Sequence, residues 1–321
     1  MMGLIHKITV FLSKQYYQKK DWKSEFYKDC KNGTLDNLLL LITQLITSFD
    51  KATEDIDLAI SHSFFGIDKT TRSQKEKLRK MARAYIHETL SKELDEQLRA
   101  MGIEGYSIEN VTHRSVNGES VAIDSDKDPT VILVHFPSVL EEGAAYIQRR
   151  VKIEISCLSM DVPVEVRPIR SYIEETFPGE DVGTVGEYRT VVPSRTFLEK
   201  IFLLAEEFQK ARPRHVRMSR HLYDLERLMD TEFGRSALAD NGLYDAVVEH
   251  RRTYYALKYV NYDRHSRSTI SFLPPEVLLP QWRDDYNNML QSFIYGDALD
   301  FDALMVRMRE LQRRVSCAKR E

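Results

Sequence analysis

Period-two apolar patterning runs through the first part of this chain, fades near Ile169 and does not return after Pro193. A sequence that alternates strand and helix signals and then loses its strands is built in two different ways. Strand-like runs fall at Asp55–Ile60, Val121–Ile123, Val131–Phe136, Arg150–Cys157 and Val164–Arg167. Between the first two, Arg72–Met101 carries Leu78, Met81, Ala82, Tyr85, Ile86, Leu90, Leu94 and Leu98 at helical spacing and stops at Gly102. The segment Ser115–Pro129, with Asn117-Gly118, reads as a turn followed by a loop.

Beyond Pro193, Ser194 is expected to cap a helix running through Gln209, with Pro213 just past its end. Further helices are expected at Ser219–Met229, Ser236–Ala239, Gly242–Tyr254, Pro280–Phe293 and Asp300–Val315. Their short connections predict an antiparallel bundle. Phe177–Val191, with Pro178, Gly179, Gly183 and Gly186, reads as the linker. The expected fold class is α+β: a mixed-sheet domain over residues 1–190, then an α-helical bundle domain over residues 191–321.

Composition sets the outer limits. With 42% hydrophobic and 30% charged residues, the chain can bury cores of ordinary size and is not a disordered sequence. A formal net charge of -3 leaves any nucleic-acid contact to a local basic patch. The 3 cysteines, Cys30, Cys157 and Cys317, lack paired metal-ligand spacing and are expected to be reduced thiols. The apolar stretches Ile8–Leu12 and Leu38–Ile46 are too short to span a membrane, so a cytoplasmic protein with no membrane partner is expected.

Asp55 and Asp57 stand two residues apart in a strand-like run, so both project from one face while Ile56, Leu58 and Ile60 take the other. Neighbouring carboxylates repel unless a cation lies between them, and Mg²⁺ favours such hard oxygen ligands beside substrate phosphates. The plain alternative is a solvated acid–hydrophobic–acid triplet at a strand end. Arg150–Cys157 alternates in the same way, with Lys152, Glu154 and Ser156 on one face. A lone glutamate there is ordinarily ion-paired, with Lys152 as the obvious neighbour. On a strand adjacent to Asp55 and Asp57, it would instead complete a three-carboxylate metal site.

In the second half, Lys200 on the helix opening Ser194–Ile201 is either a surface charge or a phosphate ligand. Arg220, Asp224 and Arg227 fall near one face of the Ser219–Met229 helix, Arg220 and Asp224 forming an i,i+4 pair. Lys210–Arg217 is the densest basic run. It is a solvated loop or, beside a phosphoryl-transfer site, a landing surface for a nucleic-acid backbone.

Thr53-Glu-Asp-Ile-Asp-Leu58, Lys152-Ile-Glu-Ile155, Arg195-Thr-Phe-Leu-Glu-Lys-Ile201 and Ser219-Arg-His-Leu-Tyr-Asp-Leu225 occur in this order. Together they resemble the AbiEii-type toxin nucleotidyltransferases of the DNA-polymerase-β-like superfamily. The resemblance implies a nucleotidyltransferase domain followed by the helical one. It implies that Asp55, Asp57 and Glu154 bind Mg²⁺ or Mn²⁺, and that Lys200 and Asp224 belong to the catalytic nucleotide site. Gly33, Thr34, Lys51, Thr53 and Arg220 would also bind nucleotide. It further implies nucleotide transfer from an NTP to an RNA acceptor such as tRNA, a toxin role in toxin–antitoxin or phage-defence systems, and a winged-helix antitoxin encoded nearby. The chain departs from the family where a glycine pair opens a helix, since Lys31-Asn-Gly-Thr-Leu35 has one glycine, and Lys51 replaces an arginine. A catalytically impaired member that binds nucleotide, RNA or protein is the alternative.

Overall fold

The structure is a computed structural model and describes residues 9–12, 55–67, 71–100, 102–116, 118–136, 150–160, 163–169, 186–292, 294 and 296–318. The chain divides into two compact units, and the second takes up the chain from Val192 onward.

The first unit is organised by a seven-stranded mixed sheet. Its strands are β1 (Thr9–Leu12), β2 (Asp55–Ile60), β3 (Ser107–Asn110), β6 (Thr130–His135), β7 (Arg150–Ser156), β8 (Val164–Ile169) and β9 (Gly186–Val191). They lie in the order β3-β6-β7-β2-β1-β9-β8. β2 runs parallel to both β1 and β7, whereas the remaining pairs are antiparallel. Alternation explains the strand faces: Val151, Ile153 and Ile155 are buried while Lys152, Glu154 and Ser156 are half-buried. Ile56, Leu58 and Ile60 are buried on β2, but so are Asp57 and Ala59. This strand is therefore covered on both faces, as a central parallel strand is expected to be.

The helix predicted from Arg72 is present as α1 (Arg72–Tyr85) and α2 (Ser91–Ala100), joined through a π-helical turn at Ile86–Leu90. Thr71 caps it, accepting from the Gln74 amide at 3.4 Å. Leu78, Ala82, Tyr85, Ile86, Leu90, Leu94 and Leu98 are buried and Met81 is half-buried, so one apolar stripe continues through the π turn.

Three expectations are corrected here. The segment read as a turn and then a loop, Ser115–Pro129, contains part of a hairpin, β4 (His113–Val116) with β5 (Glu119–Ala122), in which Val116 pairs with Glu119; β5 overlaps the strand expected at Val121–Ile123, while β4 was not expected. Gly118 turns it with φ +86°, a conformation glycine adopts without steric cost. The linker assigned to Phe177–Val191 contains β9, which pairs with β8 from Gly186 to Val191 and with β1 through Thr190. Ser194 caps nothing: Val192 is the N-cap and Pro193 opens the helix, its fixed φ suiting the first position.

The second unit is helical among its described residues: α3 (Pro193–Glu207), α4 (Ser219–Met229), α5 (Glu232–Ala239), α6 (Asn241–His250), α7 (Leu279–Ser292) and α8 (Phe301–Cys317). The α4 helix is central, packing against α3, α5, α7 and α8. Its Leu222, Leu225 and Met229 are fully buried. Charges are buried here as well. Arg251 grips Glu206 with a two-pronged fork, Nε to Oε1 at 2.7 Å and Nη2 to Oε2 at 2.5 Å. Arg195 donates from Nε to Glu199 Oε1 at 3.0 Å. Burial opposes ionisation of Glu199, but the Arg195 and Arg251 guanidiniums outweigh it and hold the carboxyl below its usual range.

Candidate active site

The sheet brings two of the predicted acids together by backbone register. On the parallel strands β2 and β7, Asp57 lies opposite Glu154 and Asp55 lies opposite Lys152. Neighbouring strands are about 4.8 Å apart, so the side chains of Asp57 and Glu154 leave one face of the sheet as direct neighbours. Asp57 is 8% exposed, which makes its charge costly without a cation nearby. One cation is already present: Lys152 Nζ lies 2.6 Å from Glu154 Oε1. The ordinary ion pair read for Glu154 therefore exists, and it sits directly beside Asp57.

The end of β7 is held by an acid that sequence reasoning left inside a loop. Asp128 accepts from Ser156 Oγ at 2.5 Å and from the Cys157 amide at 2.8 Å. Burial raises the Asp128 carboxyl, against the lowering effect of those donors. Its only sequence signal was membership of an acid-rich stretch, Asp124–Asp128, which a solvated loop explains equally well.

The donors present fit a hard divalent cation. Carboxylate oxygens from Asp57 and Glu154, completed by water and substrate phosphate, are the usual environment of Mg²⁺, and Mn²⁺ accepts the same ligands. Among the described residues no group of three or more His, Cys, Asp or Glu is arranged to hold a metal, and the Asp55 side chain lies outside that set. Gly33, Thr34, Lys51 and Thr53 also lie outside the described residues.

In the helical unit, Lys200 of α3 and Asp224 of α4 form an ion pair, Nζ to Oδ2 at 2.5 Å, with side chains only 12% and 9% exposed. The surface-charge reading of Lys200 is thereby excluded. Sequence spacing offered Arg220 as a neighbour of Asp224; the structure adds Lys200 as an ion-pair partner. Packing of α4 against α3 brings in this partner from 24 residues away. Arg220 is half-buried one turn before Asp224. The basic run between α3 and α4 is organised by buried Glu207, which accepts from Lys210 Nζ, the Arg214 amide and the Arg214 guanidinium. Burial opposes ionisation of Glu207, and these donors overcome it to hold the carboxyl below its usual range.

The family model for the nucleotidyl transferase AbiEii toxin of type IV toxin–antitoxin systems matches residues 49–307, well over half of the chain. The chain belongs to the AbiEii family. It is thus a nucleotidyltransferase toxin by family, with a nucleotide as substrate and an antitoxin as partner. The matched AbiEii region includes Asp55, Asp57, Glu154, Lys200, Arg220 and Asp224, and begins after Gly33 and Thr34. No curated protein matches the chain in sequence. Among the described residues no helix is long and apolar enough to cross a membrane.

Proposed function

We propose that this AbiEii-family protein is a metal-dependent nucleotidyltransferase that moves a nucleotide from an NTP onto an RNA acceptor, with tRNA as the acceptor class. The observation that carries this reading is the register that sets Asp57 opposite Glu154 on adjacent parallel strands. Asp55, Asp57 and Glu154 hold the metal. Mg²⁺ or Mn²⁺, when bound, supplies activation of the attacking oxygen and stabilisation of the leaving pyrophosphate. The acceptor hydroxyl gives up its proton to water as its oxygen bonds to the α-phosphorus, the bond from that phosphorus to the bridging oxygen of the β-phosphate breaks, and pyrophosphate leaves. Lys200 and Arg220 supply positive charge for the triphosphate, and Asp224 fixes the Lys200 ammonium. The biological role is that of a cytoplasmic abortive-infection toxin restrained by a winged-helix antitoxin.

The test is incubation of the native chain and Asp57→Ala with each labelled NTP, Mg²⁺ and total tRNA. Label moves to RNA with the native chain alone. No transfer by the native chain, where a control transferase succeeds, overturns the reading. A second reading is favoured by the single glycine of Lys31–Leu35: an impaired member that binds NTP without turning it over. Saturable NTP binding without transfer would select it.

A further inference from the structure

We propose that Lys152 competes with the divalent ion for Glu154, and so sets the ion concentration at which the carboxylate site fills. This rests on the reading of Asp55, Asp57 and Glu154 as metal ligands given above, and it makes Lys152 a positioning residue for the transfer reaction.

Lys152 precedes Glu154 by two residues on β7 and so shares its sheet face. Its backbone lies opposite Asp55, while its Nζ reaches Glu154 Oε1 at 2.6 Å, and Glu154 lies opposite Asp57. The lysine thus runs from the register position of one proposed ligand to the carboxylate of another. The other flank of this face offers it apolar neighbours. On β6, Leu133 lies opposite Lys152 and Val131 opposite Glu154. Glu109, which lies opposite Leu133 on β3, is paired through Oε2 with His135 Nε2 at 2.8 Å. The ammonium is therefore committed to the acid at the centre of the site.

An ammonium is a compact single charge and relieves only part of the repulsion between Asp57 and Glu154. A divalent ion brings twice the charge and binds several carboxylate oxygens at once, so it prevails once its concentration is high enough. Exchange costs the hydrogen bond to Glu154 Oε1, and that cost is what sets the threshold. It needs no backbone movement, because the Lys152 side chain is 32% exposed on a flexible stem.

The full chain is titrated with Mn²⁺ without nucleotide, free Mn²⁺ being read by electron paramagnetic resonance, beside Lys152→Met, Lys152→Gln, Lys152→Arg and Arg150→Met. Lys152→Met and Lys152→Gln are expected to bind Mn²⁺ about tenfold more tightly than the native chain. Lys152→Arg, which keeps the charge, should not gain affinity. Arg150→Met removes a cation one step further along the same face and should bind as the native chain does. Native Mn²⁺ affinity in Lys152→Met and Lys152→Gln overturns the proposal. An equal gain in Arg150→Met also overturns it, since the effect would then be one of general charge. If Lys152→Met does not fold, Lys152→Gln decides; if neither folds, the ion pair is a contact the fold requires and the proposal fails. Folded native chain and Lys152→Met that both take up no Mn²⁺ overturn the metal-site reading together with this proposal, whereas equal binding by the two overturns this one only.

Discussion

Asp57 and Glu154 stand opposite one another on neighbouring parallel strands, each in the middle of a strand whose Ile56, Leu58, Ile153 and Ile155 are buried. Like charges held directly across a sheet are destabilising by roughly 0.2–1 kcal/mol. Lys152, 2.6 Å from Glu154 Oε1, offsets only part of that repulsion. In metal-free buffer, Asp57→Asn is therefore expected to raise thermal stability by an amount in that range while abolishing transfer. A melting curve recorded in chelator checks it. A large loss of stability would mean that Asp57 is a structural acid.

Lys200 and Asp224 separate differently. Truncating one member of a buried ion pair leaves the other charge uncompensated, at a cost of about 3–5 kcal/mol, whereas replacing both with apolar residues is often neutral. Lys200→Ala should thus be strongly destabilised in chemical denaturation, and Lys200→Met with Asp224→Leu should recover most of that loss. Transfer activity should remain absent in both. Recovery of activity along with stability would remove Lys200 from the nucleotide site.

How far the sequence could be read depended on burial. Strands β2 and β7 and the α1–α2 helix were legible because buried faces impose a period on residue type. Of the hairpin β4–β5 only the turn and the Val121–Ile123 run were legible; β4 was not, since all eight strand positions are exposed and no face selects apolar residues. Strand β9 was hidden because it opens on Gly186 in a glycine-containing stretch, which reads as a linker until the pairing of Gly186–Val191 with β8 is known. Within the site, spacing alone carries the expectation that Asp55 and Asp57 share a face, and the Asp55 side chain lies outside the described residues. Spacing does not reach the partners across space: Glu154 for Asp57 and Lys200 for Asp224 are both set by packing between elements distant in sequence.

His265 makes the helical unit sensitive to mild acid. It is fully buried between Phe202 and Tyr262, ring centroids 5.4 and 5.2 Å away, and burial lowers its pKa from 6.5 to about 4. The folded state keeps the imidazole neutral while the unfolded chain protonates it below about pH 6.5. Its contribution is therefore complete above pH 6.5 and is lost as pH falls toward 4, by about 1.4 kcal/mol per pH unit. Denaturant unfolding at pH 7, 6 and 5 should show this slope, and His265→Gln should flatten it. An unchanged slope in His265→Gln would assign the effect to other groups.

Gly234 sits where α5 starts against the end of α4. A Cβ added there would lie 2.3 Å from the Leu228 carbonyl oxygen and 2.8 Å from Met229 Cα, both backbone atoms that cannot rotate away. Gly234→Ala should cost about 1–3 kcal/mol through displacement of one helix from the other. Thermal unfolding measures it, and a native melting temperature would show that α5 can shift freely.

The central claim, that the opposed acids of β2 and β7 serve nucleotide transfer, is tested most directly by the initial rate of label transfer from NTP to RNA across a Mg²⁺ series. Native chain, Asp57→Asn and Glu154→Gln would be compared, each confirmed as folded. The native rate should rise and saturate with Mg²⁺, and both variants should fall at least about a hundredfold at every concentration. Transfer at the native rate by folded Asp57→Asn or Glu154→Gln would contradict the claim.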